Sequence, residues 1–170
     1  TRALVKPGDI VLERCDYYVS NALLPGWWGH AALYTGDGAA LRGLGLADDA
    51  GVKPHMAELS AGHDLVESVS EGVVVSSLEH IMRADHIAIL RPRFKTQDIL
   101  RRALHACFAN VGKAYDFNFD FSTDDVLVCS ELCWRALDGV IQVPLVKRFG
   151  RFTLTPDELA ALAVGKDAQL

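Results

Sequence analysis

Five short apolar segments, each bounded by turn-forming residues, limit the folds that are open to this chain. Each segment has the length and the composition of a β-strand. Most of the connections between them are too short for the crossover that two parallel strands require. The pattern therefore predicts a small antiparallel sheet packed against helices, an α+β fold, rather than a doubly wound parallel sheet. The predicted strands are residues 10–12, 30–35, 64–68, 73–75 and 85–90.

Helices are predicted before, between and after these strands. Thr96 can cap one helix, and Thr155 and Glu158 form a capping box around Pro156, which predicts another helix near the end of the chain. The glycine-rich stretch 38–62 is predicted to run over the surface, near a site. The predicted helices cover residues 16–24, a short segment after Pro54, 76–82, 97–111, 129–137 and about 156–164.

Length and composition bound the class of protein. The 170 residues suit one domain, which we expect to span residues 1–170. Half of the chain is hydrophobic, enough to bury a core without metal or disulfide crosslinks. No apolar stretch approaches the roughly 18 residues that a membrane span needs, and the net charge of −5 argues against a nucleic-acid partner. Because the chain begins with Thr1 rather than Met, we expect a trimmed or processed form or a piece of a longer protein.

The four cysteines contain no CxxC pair, which disfavours a zinc ribbon or a thioredoxin-like site. Cys129 differs from the others because it stands at the predicted start of a helix. There the helix dipole and the unpaired N–H groups favour the thiolate, and the same N–H groups can hold a developing oxyanion. Cys129 is therefore the candidate nucleophile, with a buried unreactive thiol as the alternative. Cys15, Cys107 and Cys133 are expected to be structural and unbridged.

A cysteine nucleophile needs a base, and the base needs a residue that orients it. His30 begins an apolar strand directly after Gly29 and is the first candidate base, and His86, also on a predicted strand, is its rival. Glu67 lies within an apolar strand, where an unpaired carboxylate is costly, so it is a candidate to orient His30. The alternatives are a half-buried structural histidine for His30 and a solvent-facing side chain for Glu67. The remaining histidines, His55, His63, His80 and His105, are expected at surface positions.

Two further features are weaker signals. Trp27 and Trp28 form a bulky apolar patch just before His30, which is either core or one wall of a substrate groove. The aspartates between residues 116 and 125 lack the spacing of a calcium loop, and we expect Asp116 to turn outward or to cap locally. No phosphate-binding glycine loop and no metal-binding motif is present, so neither a cofactor nor a metal is predicted.

A set of short sequence blocks occurs in a fixed order between residue 6 and about residue 140. The blocks are Gly8-Asp9-Ile10, Gly29-His30-Ala31-Ala32-Leu33-Tyr34-Thr35-Gly36, Val66-Glu67-Ser68, Glu71-Gly72-Val73, Asp85-His86, Tyr115-Asp116-Phe117, Phe119-Asp120 and Cys129-Ser130-Glu131-Leu132. In this order they resemble the YiiX/YebB-like members of the NlpC-type cysteine hydrolases. The resemblance implies a circularly permuted papain-like fold in which the cysteine helix follows the sheet.

The resemblance also implies a role for each matching residue. Cys129 is expected to be the nucleophile, His30 the general base and Glu67 the third polar residue on the next strand. Tyr115 resembles the family tyrosine near the oxyanion site, where its hydroxyl would act beside the N–H of Cys129. The block that contains His86 is structural in this resemblance, which disfavours that histidine as the base.

The leading hypothesis is a cysteine hydrolase that cleaves an amide, peptide or related acyl bond through a thioacyl-enzyme. A second hypothesis is an acyltransferase resembling lecithin–retinol acyltransferase, which passes a fatty acyl group to an amine or alcohol. A third is a peptide-binding or lipid-binding module without turnover. The expected partner is a small peptide, a lipid amide or an acylated substrate, with the choice made by the unmatched residues 39–62. The resemblance implies a bacterial protein, either cytoplasmic or exported.

Overall fold

A five-stranded antiparallel sheet confirms the predicted α+β class. The computed structural model describes residues 3–16 and 26–164, so the predicted helix over 16–24 lies outside the described residues except for Asp16. The strand order is β4-β3-β2-β1-β5, and every neighbouring pair is antiparallel. The five strands are β1 (Ile10–Arg14), β2 (His30–Tyr34), β3 (Leu65–Val69), β4 (Gly72–Ser76) and β5 (His86–Leu90).

The two helices with predicted caps begin where those caps predict, whereas the helix Gly38–Gly43 was not predicted. The Thr96 hydroxyl accepts a hydrogen bond from the Ile99 N–H at 3.3 Å, and Thr155 and Glu158 form the predicted capping box. Among the described residues six α-helices are found, and a short 3₁₀ turn covers Lys53–His55. The helices are α1 (Gly38–Gly43), α2 (Met56–Ser60), α3 (Leu78–Ile81), α4 (Gln97–Phe108), α5 (Cys129–Ala136) and α6 (Pro156–Ala161).

The two faces of the sheet bury different partners, because alternate residues of a strand point to opposite faces. Ile10 and Leu33 are cross-strand neighbours on the larger face, which packs with α4 and α5. Val11 and Ala32 are neighbours on the other face, which packs against the short helix α3. Helix α5 contacts β2 and β3 in particular. The cysteine helix is thus held beside the two strands that carry the predicted histidine and glutamate.

The stretch 38–62 runs largely over the surface, as its glycines predict, but four widely spaced apolar residues hold it in the main core, to which α4 also contributes. The carboxylate of Asp49 also lies 2.9 Å from Nδ1 of His105 on that helix. This stretch therefore helps to hold α4, and none of its residues lines the pocket described below. The buried apolar side chains are those of Leu41, Leu46, Val52 and Leu59.

Two further pairs of short strands were not predicted from the sequence pattern. Strand β6 (Ala114–Tyr115) pairs in parallel with β7 (Val126–Leu127), and β8 (Val146–Arg148) forms a hairpin with β9 (Arg151–Thr153). The first pair sets Tyr115 beside Leu127, two residues before Cys129.

A search of the described helices for one with the length and hydrophobicity to cross a bilayer found none.

Candidate active site

Cys129 is the first residue of α5, as the sequence predicts. Two buried hydroxyl groups fix the backbone near Cys129 through hydrogen bonds. Ser68 on β3 donates to the carbonyl of Leu127 at 2.6 Å, and Ser130 donates to the carbonyl of Leu154 at 2.6 Å. Both bonds hold the chain that enters α5, so the thiol at its start is fixed relative to the sheet. Only 7% of Cys129 is exposed.

His30 and Glu67 lie on adjacent strands and are bonded to each other. Glu67 is paired in register with Ala32 of β2, and its Oε2 lies 2.7 Å from Nε2 of His30. The Glu67 side chain is buried, with 4% of the residue exposed, so it does not turn outward to solvent. A buried carboxylate requires such a partner. The predicted contact between Glu67 and His30 is therefore present.

The imidazole of His30 also interacts with the Cys129 thiol. Because Nε2 of His30 is hydrogen-bonded to Glu67, Nδ1 is the ring nitrogen that is left to interact with the thiol. The structure thus brings together the three residues that the sequence singles out, because His30 interacts with both the Cys129 thiol and the Glu67 carboxylate.

The electrostatics of this group favour a thiolate and an imidazolium. Burial alone would raise the pKa of Cys129, but the charge and hydrogen bond of His30 and the N–H groups of Ala31 and Ser130 lower it. Burial alone would lower the pKa of His30, but Cys129 and Glu67 together hold it well above its ordinary value. Burial opposes ionisation of Glu67 as well, yet its bond to His30 keeps the pKa of that carboxyl below its usual range.

Tyr115 is placed beside this group by the strand pair β6–β7. The N–H of Val73 donates to the carbonyl of Lys113, and this close approach requires glycine at position 72, whose φ is 111° and where a Cβ would lie 2.4 Å from that carbonyl oxygen. Burial, followed by the nearby charge of Cys129, raises the pKa of Tyr115, so its hydroxyl stays protonated. A protonated hydroxyl can donate a hydrogen bond.

Asp116 is buried and caps the next turn. Its carboxylate accepts from the N–H groups of Asn118 and Asp120 at 2.7 and 2.6 Å, which confirms local capping and excludes an outward-facing side chain. In the part of the chain that the structure describes, no group of three or more His, Cys, Asp or Glu side chains is arranged to hold a metal ion.

An open pocket of about 440 Å³ adjoins His30 and Glu67. Its walls include Glu13, His80 and Phe117, three residues that sequence reasoning did not assign to a site. Burial raises the pKa of Glu13, while the positive charge of His30 opposes this shift. His80 was expected at a surface position; it is exposed, but it faces the pocket from α3. No local sequence signal marks these residues, because only the pairing of β1 with β2 and the position of α3 bring them to His30.

The two tryptophans lie outside the pocket lining. The Trp27 ring is 51% exposed and packs between the Arg14 guanidinium, 4.2 Å from its centroid, and the His86 ring, 5.4 Å away. Trp28 is half-buried against the main core. Their predicted part in substrate binding stays a prediction.

His86 is separated from His30 by β1 in the sheet, at a distance of about 10 Å for two strand spacings. Its Nε2 faces Asp16 at 3.3 Å, and its side chain is 44% exposed. The structure therefore does not bring His86 to the cysteine.

The other three cysteines form no disulfide, as expected. Cys107 and Cys133 are fully buried, and burial raises the pKa of both thiols. Cys15 is half-buried, and its pKa is also raised, first by burial and then by neighbouring carboxylates. Among the four thiols, only that of Cys129 has its pKa lowered.

A buried ion pair stabilises α5, the helix that begins at Cys129. Glu131 is fully buried, and its Oε1 accepts from the Arg135 guanidinium at 2.8 Å. The same guanidinium donates to the carbonyl of Thr123 at 2.6 Å, which ties α5 to the chain between β6 and β7. Burial raises the pKa of Glu131 to about 7, although Arg135 opposes this shift.

Arg135→Ala is expected to lower the free energy of unfolding by about 3 kcal/mol at pH 8.5, because it leaves Glu131 buried without its partner. The loss should be smaller at pH 5.5. The pKa of Glu131 lies above its unfolded value, so its contribution to stability is present at low pH and disappears as the pH rises through about 7. Urea unfolding at both pH values measures the loss of unfolding free energy.

The exposed pair of Lys53 and Asp48 provides the control. Lys53→Ala should lower the free energy of unfolding by less than about 1 kcal/mol. Equal losses for Arg135→Ala and Lys53→Ala would contradict the prediction.

Comparison with known proteins assigns the chain to a family. No curated protein and no solved structure matches it significantly. A family model described as permuted papain-like amidase enzyme, YaeF/YiiX, C92 family, matches residues 4–168. The match covers almost the whole chain and agrees with the resemblance carried by the sequence blocks. The chain therefore belongs to the YaeF/YiiX, or C92, family of permuted papain-like amidases.

Proposed function

We propose that this protein hydrolyses an amide or peptide bond through a thioacyl-enzyme, with Cys129 as nucleophile, His30 as acid and base, and Glu67 as the residue that orients His30. The observation that carries the proposal is the 2.7 Å hydrogen bond between Nε2 of His30 and the buried Glu67, in an imidazole that also interacts with Cys129. Membership of an amidase family supports cysteine hydrolase chemistry at the general level.

The first half of the reaction forms the thioacyl-enzyme. The Cys129 thiolate attacks the carbonyl carbon, and a C–S bond forms as the carbonyl π electrons move onto oxygen. The N–H of Cys129, at the start of α5, and the hydroxyl of Tyr115, whose strand pairs beside Leu127, donate hydrogen bonds to this oxyanion. The intermediate collapses, the C–N bond breaks, and the imidazolium of His30 gives its proton to the departing amine.

The second half returns the enzyme to its starting state. Neutral His30 accepts a proton from water as the water oxygen attacks the thioester carbonyl. Collapse of this intermediate breaks the C–S bond, releases a carboxylic acid and leaves Cys129 as thiolate beside protonated His30. Glu67 stays ionised throughout and stabilises the imidazolium in both halves.

The pocket beside His30 favours a neutral substrate group. Glu13 and Glu67 lie in its wall, the aromatic rings of Tyr115 and Phe117 supply apolar surface, and no lysine or arginine of the described residues lines it. His30 and His80 also line the pocket, but His30 is paired with Glu67, so no permanently charged cation is available there to bind a substrate carboxylate. Within the expected class of substrates, this argues for a neutral acyl or peptidyl group.

A panel of p-nitroanilides tests the activity. We expect the protein to release p-nitroaniline from neutral acyl or peptidyl amides, and to release less from matched amides with an acidic group next to the scissile bond. Intact-mass spectrometry should show a transient acyl adduct on the parent chain, mapped to the peptide that contains Cys129. The Cys129→Ser variant should show neither the adduct nor the release.

An added acceptor separates hydrolysis from acyl transfer. Both reactions share the thioacyl-enzyme and differ only in whether water or an amine or alcohol attacks it. With a fatty amine or a lysophospholipid added, the free acid should remain the main product. If the transferred product exceeds the free acid, the protein is an acyltransferase. The absence of any acyl adduct across the panel would contradict both the hydrolase and the acyltransferase.

A further inference from the structure

The hairpin of β8 and β9 ends in an aromatic residue that is fully exposed. Phe149 has a relative exposure of 105% and a φ of 50°, and Gly150, the other turn residue, has a φ of 87°. Two-residue hairpin turns with both φ values positive prefer asparagine or glycine at the first position. A phenylalanine there is unfavourable for the backbone and exposes a large apolar ring to water. Its presence at this position indicates that the ring contacts a partner outside the folded chain.

The rest of the hairpin has the character of a membrane-surface element. Val146 is 38% exposed and Phe152 is 49% exposed, and the Lys147 ammonium lies 5.8 Å from the centroid of the Phe152 ring. Three basic residues and no acidic residue occur between positions 146 and 153, in a chain whose net charge is −5. The hairpin therefore combines exposed aromatic surface with a local positive charge.

The ion pairs of the hairpin leave part of this charge available. Arg148 is paired with Glu158 at 2.9 Å. Within the described ranges, neither Lys147 nor Arg151 forms an ion pair. The guanidinium of Arg151 instead donates to the carbonyl of Asn118 at 2.6 Å. Two cations thus remain for an anionic partner.

The same contacts connect the hairpin to the candidate active site. The N–H of Phe121 donates to the carbonyl of Phe152 at 3.0 Å. Together with the bond from Arg151 to Asn118, this joins the hairpin to the segment that follows Tyr115. That segment also carries Phe117, which is 72% exposed and lines the pocket. Exposed aromatic rings therefore occur both on the hairpin and at the rim of the pocket, and one chain segment connects the two.

We propose that the β8–β9 hairpin docks on the surface of an anionic phospholipid bilayer, with Phe149 inserted at the interface and Lys147 and Arg151 facing the lipid phosphates. Aromatic rings partition into the headgroup region, and basic residues beside them are attracted by anionic lipid. Docking in this orientation holds the pocket near the membrane. The proposal does not depend on turnover, because it concerns a surface that Cys129 does not form.

Vesicle co-sedimentation tests the docking. The full chain should sediment with vesicles of phosphatidylcholine and phosphatidylglycerol in about equal parts, and only weakly with phosphatidylcholine alone. Phe149→Asn should weaken binding to the anionic vesicles about tenfold, and Lys147→Gln should weaken it severalfold. Thermal unfolding should show Phe149→Asn to be at least as stable as the parent, because asparagine suits the turn. Lost binding therefore cannot be attributed to misfolding.

Matched variants elsewhere provide the controls. Leu4 is 66% exposed and the Lys53 side chain is 67% exposed, and neither lies in the hairpin. Leu4→Asn and Lys53→Gln should bind the anionic vesicles like the parent, and so should Cys129→Ser, which separates docking from catalysis. The proposal is overturned if the parent does not bind anionic vesicles, if it binds neutral vesicles equally well, or if Phe149→Asn binds like the parent.

Discussion

Iodoacetamide is expected to alkylate Cys129 at least about 100-fold faster than Cys15 at pH 6, although Cys129 is the more buried of the two thiols. The thiolate is the reactive form, so the pKa and not the exposure decides the order. The pKa of Cys129 is lowered by His30 and by two backbone N–H groups, whereas that of Cys15 is raised by burial and by nearby carboxylates. Peptide mapping of the alkylated chain over time measures both rates.

The pH dependence distinguishes the reactivity of the Cys129 thiol from the activity of the complete group of Cys129, His30 and Glu67. Alkylation should stay fast as the pH falls from 9 and decline only below the lowered pKa of Cys129. Amide hydrolysis should decline at that same lower limit and also at high pH. The second decline occurs because His30 loses its proton above its raised pKa and can no longer protonate the leaving amine. A plateau for alkylation and a bell-shaped profile for hydrolysis are therefore expected.

Cys129→Ser is the control for this experiment. It should remove the fast-reacting site, leave the slow alkylation of Cys15 unchanged and lower amide turnover by about 10⁴-fold or more. If Cys129 instead titrates near the ordinary thiol value of about 8.5, the thiolate is not stabilised. That outcome would contradict the proposed nucleophile and would favour a binding module without turnover.

His30→Gln is expected to lower amide turnover by about 10³-fold or more, whereas His86→Ala should leave it within about twofold of the parent. Glutamine cannot exchange a proton with the thiol or the leaving amine, but its amide can still donate to Glu67. This matters because Glu67 is buried and would otherwise lose its partner. His86 faces Asp16 at the surface and lies two strands away, so its loss leaves the reacting atoms untouched.

A third variant tests the orienting residue. Glu67→Gln can still accept a hydrogen bond from Nε2 of His30 but lacks the charge that stabilises the imidazolium. Turnover should fall less than for His30→Gln, and the high-pH limit of hydrolysis should shift to lower pH because the pKa of His30 falls. Urea unfolding and circular dichroism establish that each variant is folded. A loss of turnover for His86→Ala as large as that for His30→Gln would transfer the role of base to His86.

The chemistry of the candidate site was largely readable from the sequence. Cys129 stands at the start of a helix and His30 at the start of a strand, and both positions follow from local patterns of turns and apolar residues. The carboxylate of Glu67 within an apolar strand implied a buried partner, because such a group is costly alone. The ordered blocks then implied the family, which the family comparison confirms. The assignment of one domain and the catalytic roles stay predictions.

The residues that line the pocket could not be predicted from the sequence in the same way. Glu13, His80 and Phe117 come from β1, α3 and the segment after β6, and nothing in the local sequence of any of them indicates a site. The burial of part of the stretch 38–62 was not predicted, for a related reason. Its glycines predict a surface path, but four separated apolar residues are buried against the main core.

By itself, the sequence predicted the α+β class, the five-stranded antiparallel sheet and the three residues proposed for catalysis, because turns, apolar runs and costly polar residues act through near neighbours along the chain. Its ordered blocks carried the resemblance to the family. Only the tertiary structure revealed the short strand pairs β6–β7 and β8–β9, and only it decided which nitrogen of His30 faces Glu67, which residues line the pocket and how the hairpin connects to the segment that carries Phe117. These properties depend on burial and on distances between residues far apart in the chain. They arise only when strands pair in register and α5 packs against β2 and β3.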